Sequence, residues 1–150
     1  MQNHPKQPYA LPIPSPDDGP LYRVTSDWSY VWKINRRTYR LRVPRGFEFD
    51  GASVPWWMWS LLRVPPDGLH RAAALAHDYL YRHVGRVPLG HQQELIRGKW
   101  MDCTSPWLRE EADALFARIL RECGVSMVRR RLMYLGVRIF GKSSWKTRIV

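Results

Sequence analysis

The stretch "AHDYLYRH" sets His77 beside Asp78 in a helical pattern. His70 lies seven residues earlier, two helical turns back and on the same face as His77. Asp113 stands in "EEADALF", at the edge of the apolar arc of a later helix. Imidazole nitrogens and carboxylate oxygens from His70, His77, Asp78 and Asp113 make a ligand set suited to a divalent metal. A metal held there would activate a water for hydrolysis. A second chemistry would use Ser53 as nucleophile, His77 as base and Asp113 as the acid that orients it. No base neighbours Ser53 in the sequence, so that set depends wholly on the fold.

The same residues also suit plain structure. Asp78 and Arg82 stand at i, i+4, the spacing of an ion pair on one helix. His77 is placed to hydrogen-bond across a helix packing, and Asp113 to cap a helix or pair with a basic residue of the last one. Upstream, Asp50-Gly51-Ala52-Ser53 reads as a tight turn, with Gly51 supplying backbone freedom and the polar side chains bonding locally. Pro55 redirects the chain into Trp56, Trp57 and Trp59. Their spacing does not suit a stacking platform for bases, so they are expected to cover a core or an interface.

Charge adds a third signal. The chain carries 24 Lys+Arg against 13 Asp+Glu, a net charge of +11 that favours anionic partners. The excess gathers at the end: residues 118–150 hold nine basic residues against one acid, Glu122. Arg129, Arg130 and Arg131 can contact phosphates or an acidic protein surface, or form a solvated face, and Arg138 and Lys142 extend the basic side. No zinc-finger, phosphate-loop or helix-turn-helix pattern accompanies them. Cys103 and Cys123 lack metal-type spacing and are expected to be free thiols, with one disulfide as the alternative. Neither a signal-peptide pattern nor an apolar run long enough for a membrane span is found.

The elements that must position these groups can be read in order. Residues 1–20 hold six of the twelve prolines, so they form an extended arm rather than helix or central strand. Residues 21–150 then make one compact domain. "WSYVWKI" and "TYRLRV" alternate around "NRR" as a β-hairpin. A helix follows in 66–84, with Leu69, Ala72, Ala73, Ala76 and Leu80 on one face and Gly85 as its stop. Residues 86–104 look irregular. Ser105 as N-cap and Pro106 at the first position open a second helix, which ends at Gly124. A third runs from Ser126 to about Phe140 and stops at Gly141, with Val128, Leu132, Leu135 and Ile139 on one face. Strands first and helices after predict an α+β fold: an N-terminal β-hairpin or small antiparallel sheet packed on about three α-helices.

Four ordered motifs, "VPRGFEFDGASVPWWMW", "AAALAHDYLYR", "EADALFARILRECGV" and "YLGVRIFGKSSW", resemble the family known as domain of unknown function 1353, which occurs in tailed phages and prophages. The resemblance spans about residues 21–145. It implies a phage-encoded protein, from the structural or late-gene region, and no particular activity. The motif positions it marks are Asp50, Gly51, Ser53, Pro55, His77, Asp78, Tyr81, Asp113 and Gly141. His77-Asp78 is also similar to the paired residues of the His-Asp phosphohydrolases, but the further upstream His of that pattern is missing.

Two functions follow as expectations. The first is a virion-associated structural or assembly protein that works through contacts with other phage structural proteins, in the particle or in the host cytoplasm during assembly. The second is a small metal-dependent hydrolase using His77, Asp78 and Asp113. The prolines, the eight tryptophans and the incomplete catalytic set favour the first.

Overall fold

A computed structural model describes residues 5–16, 21–50 and 70–146. Gly51, Ser53, Pro55, Trp56, Trp57, Trp59 and Leu69 lie outside the described residues. The fold is α+β as expected, with two antiparallel sheets and three helices among the described residues.

The first sheet joins β1 (Ala10–Ile13), β2 (Leu21–Val24) and β5 (Glu48–Phe49) in the order β1-β2-β5. The proline arm thus supplies an edge strand of the domain it precedes. Pro12 pairs opposite Tyr22 on that edge, where a missing N–H leaves no inner ladder broken. The arm is anchored further by side chains: Trp28 Nε1 donates to the Lys6 carbonyl at 2.7 Å, and Gln7 Oε1 accepts from the Ala72 amide at 2.9 Å.

The second sheet has the order β3-β4-β6-β7, from β3 (Trp28–Ile34), β4 (Arg37–Val43), β6 (Gln92–Ile96) and β7 (Lys99–Asp102). The β3–β4 hairpin matches the alternation in the sequence, and its two turn residues, Asn35 and Arg36, both have positive φ. Such a turn matches the right-handed twist of the strands. Trp28, Tyr30 and Trp32 point inward and stack in sequence, with ring centroids 6.4 and 5.5 Å apart. The β6–β7 hairpin occupies part of the region expected to be irregular. "QQELI" and "KWMD" show little apolar alternation, and backbone pairing with β4 holds them in place.

Helix α1 (Arg71–Arg82) is the centre of the domain. Residues 72–81 are all buried, so it is covered on every side rather than along one stripe. Its small residues Ala72, Ala73, Ala74 and Ala76 permit that enclosure. Helix α2 (Arg109–Glu122) begins later than Ser105-Pro106 suggests. The Trp107 amide is bonded to the Gly85 carbonyl at 2.8 Å, which keeps the chain extended to that point. Glu111 then caps the helix by accepting from the Leu108 amide at 2.8 Å.

Helix α3 (Met127–Lys146) departs from expectation at its end. It runs through Gly141 instead of stopping there. A Cβ at 141 would lie 2.8 Å from the Tyr81 hydroxyl, so this glycine permits a close helix approach. Its buried face carries Met133, Val137 and Gly141, whereas Val128, Leu132, Leu135 and Ile139, the shared apolar face read from the sequence, are exposed. The close approach at Gly141 selects the face that turns inward, and the bulkier stripe is left outside.

Candidate functional site

The centre of the predicted site is Asp113, which has no exposed surface. It sits on the inner face of α2, opposite α1 and beside α3. His77 Nε2 is 2.8 Å from its Oδ1, and the Tyr81 hydroxyl donates to the same oxygen at 2.5 Å. Its Oδ2 accepts from Arg138 Nη1 at 2.6 Å and lies 3.9 Å from Arg109 Nη1. Arg109 in turn donates to the Arg138 carbonyl at 2.7 Å. One buried carboxylate therefore ties all three helices together. His77 and Tyr81, four residues apart, reach it from the same side of α1.

Burial governs the protonation of this cluster. Burial pushes the His77 pKa below its usual value, and the Asp113 contact only partly offsets this. The ring is therefore neutral, with Nε2–H donating to Asp113. Burial would raise the Asp113 pKa, but the hydrogen bonds from His77, Tyr81 and Arg138 hold it below the ordinary carboxylate value. Burial and the same carboxylate push the Tyr81 hydroxyl up, so it stays a donor. The site is an ionised carboxylate neutralised by arginine and hydrogen-bonded by two neutral groups.

The predicted ligands separate. Asp78, although adjacent to His77, points elsewhere: its Oδ2 accepts from the Asp50 amide at 2.9 Å. Arg82, its expected ion-pair partner, lies instead over the Phe47 ring at 5.0 Å. His70 is buried at the start of α1. Among the described residues no three of His, Cys, Asp and Glu gather in a way that could hold a metal ion. Both Asp113 oxygens already take donors, and two guanidiniums flank them, so this donor set does not fit a divalent cation. The His77–Asp113 pair has the types of two members of a Ser-His-Asp set, but it is enclosed, and Ser53 falls outside the described residues.

The basic residues also divide. Arg138, grouped by sequence with the surface, turns inward to Asp113 because its position on α3 faces α2. Arg129, Arg131 and Lys142 are exposed, and Arg130 is half-buried. The pairing of Asp113 with a basic residue of the last helix, one of the two structural roles read from the sequence, is made by Arg138. Sequence reasoning missed Arg109. The i, i+4 spacing of Arg109 and Asp113 was the available signal. Cys103 and Cys123 are free thiols. No helix among the described residues is long and apolar enough to cross a membrane.

This protonation pattern predicts acid lability with a definite sign. The folded pKa of His77 is lowered, so below about pH 6.5 the unfolded chain binds a proton that the native chain refuses. Stability should fall there by about 1.4 kcal/mol per pH unit for that one proton. His91, lowered chiefly by burial, acts with the same sign. Asp113 adds a loss at lower pH, as its carboxylate is protonated through its depressed folded value. Urea unfolding of wild type and His77→Gln between about pH 7.5 and pH 5 should show a shallower slope in the variant. Equal slopes would mean that His77 is not the buried neutral group.

The family model described as "Protein of unknown function (DUF1353)" matches residues 22–137. The chain belongs to this family. Asp113, His77, Tyr81 and Arg109 all lie inside the matched span, and Arg138 is just beyond it. A relative is the "Uncharacterized protein y4jT" of Sinorhizobium fredii (strain NBRC 101917 / NGR234), 35% identical over 63 residues. That alignment covers 42% of this chain and 18% of the relative, so the chain matches less than a fifth of the relative's length. No solved structure matches.

Proposed function

We propose that this chain is a structural or assembly protein, phage-encoded as the motif resemblance implies, that works by docking onto another protein. The observation that carries the reading is the outer stripe of α3. Val128, Leu132, Leu135 and Ile139 are 66%, 43%, 51% and 66% exposed, at helical spacing, on the side of α3 away from its core face. Scattered apolar residues on a surface need no explanation, but a continuous stripe on one helix marks a contact surface. Arg129, Arg131 and Lys142 are exposed on the same helix. The partner that fits is a protein face with an apolar centre and an acidic rim.

The alternative, a metal-dependent hydrolase at His77, Asp78 and Asp113, would need carboxylate oxygens open to an ion and a substrate. Asp113 is enclosed and saturated with donors, which speaks for a polar network that fixes the packing.

The test is sedimentation of particles from producing cells, with wild type and Leu132→Ser/Leu135→Ser chains. Wild type should travel with the particle and the variant should remain at the top of the gradient. Because these side chains are exposed, the variant's own stability should change by no more than about 0.5 kcal/mol. Wild type that never enters a particle, or a variant that enters equally well, would refute the docking role of the stripe.

A further inference from the structure

A cavity of about 760 Å³ opens between the four-stranded sheet and helices α2 and α3. That lies within the roughly 300–1,000 Å³ of small-molecule sites. It is separate from the Asp113 cluster, none of whose residues line it.

One wall is aromatic, formed by Trp32, Tyr39, Trp107 and Tyr134. Its rings are held in advance. Trp32 stacks on Tyr39 at 5.7 Å, and Trp107 tilts against Trp32 at 5.8 Å. The Trp107 indole N–H donates to Gln92 Oε1 at 2.8 Å, which fixes the ring.

The lining is also basic, with Arg118 and Arg121 from α2 and Arg130 and Arg131 from α3. The one carboxylate among the lining residues, Glu111, is turned to the Leu108 amide. Arg118 is paired with Glu122 at 3.0 Å. Arg121, Arg130 and Arg131 have no carboxylate partner among the described residues. The first turn of α3 holds no acid, so its dipole adds to the field of Arg130 and Arg131 instead of offsetting it.

We propose that this cavity binds a planar organic anion of nucleotide size, with its ring against Trp107, which Trp32 backs from the core, and its phosphate or carboxylate on Arg121, Arg130 and Arg131. Aromatic faces accept planar rings with little regard to their substituents. Guanidinium forks match phosphate and carboxylate alike. The apolar stripe of the docking reading lies on other residues of α3, and Arg131 is the residue shared between its basic surround and this cavity.

The test is isothermal titration calorimetry of the full chain with AMP and, separately, with phthalate, which distinguishes a phosphate source from a carboxylate source. Saturable single-site binding of either is the expected result. Arg130→Ala/Arg131→Ala should weaken it by about tenfold or more. Arg129→Ala/Lys142→Ala removes the same charge from residues that do not line the cavity, and should change it by less than about twofold. Thermal unfolding confirms that both variants are folded. No saturable binding of either probe would overturn the proposal. So would equal losses in the two variants, which would indicate a diffuse field. Binding of a single-stranded oligonucleotide that neither probe displaces would overturn it in favour of a surface contact with a polyanion.

Discussion

Asp113→Ala is expected to destabilise the protein by about 3–5 kcal/mol, the usual result of removing one partner from a buried ion pair. The carboxylate has no exposed surface and holds His77, Tyr81 and Arg138, with Arg109 beside it. Truncation leaves a buried imidazole N–H and a hydroxyl without their acceptor, each costing about 1–3 kcal/mol when unsatisfied. It also leaves the Arg138 guanidinium without its counter-charge. Since domains are stable by only about 5–15 kcal/mol, the loss would be a large share of the total. Asp113→Asn keeps the shape but removes the charge and turns an N–H₂ group toward a donor, so it too should be clearly destabilised. Urea unfolding at neutral pH measures both. An Asn variant as stable as wild type would mean that the ionised carboxylate is not what holds the helices, and would reopen a functional reading of His77 and Asp113.

How much of this was legible in sequence differs by element. The β3–β4 hairpin was readable because alternation of large residues survives where one sheet face is buried. The β6–β7 hairpin was not, because its strands are polar and its place is set by pairing with β4, a partner about fifty residues away. Existence of the three helices was visible in apolar periodicity, and so was the inner face of α2, where Ala112, Leu115, Phe116, Ile119 and Leu120 are buried. In α1 there is no outer face at all, and its alanines allow enclosure on every side. In α3 there are two apolar faces, and the choice between them rests on the contact of Gly141 with Tyr81, a tertiary fact. His77 and Asp113 were singled out from residue type and position alone, and the fold does bring them together. Asp78 was drawn in by adjacency in the chain. On a helix, neighbours diverge by about 100°, so adjacency is a poor guide to shared contacts. The Trp32–Trp107 wall was invisible because its members come from a strand and a loop seventy-five residues apart.

Gly85→Ala should be the second most damaging change, at about 2–4 kcal/mol, from a strained backbone and an overlap that act together. Gly85 sits at φ +75°, in the left-handed region. Its amide donates to the Leu80 carbonyl at 2.9 Å and closes the end of α1, while its carbonyl accepts from the Trp107 amide at 2.8 Å. A Cβ placed there would lie 2.2 Å from the Trp107 carbonyl oxygen. The obstruction is backbone, so no side-chain rotation relieves it, and residue 107 must move. That movement breaks the 85–107 bond and draws the Trp107 ring away from Trp32 and Gln92. Gly124 is the internal control, since its φ is +84° but a Cβ there meets nothing within 4 Å. Gly124→Ala should therefore show only the left-handed penalty, about 1–2 kcal/mol. Thermal unfolding of the two variants separates the contributions, and near-UV circular dichroism reports the loosened tryptophan. Should Gly85→Ala cost no more than Gly124→Ala, the close approach of α1's end to Trp107 would not be what this glycine serves, and the wall built on Trp107 would lose its anchor.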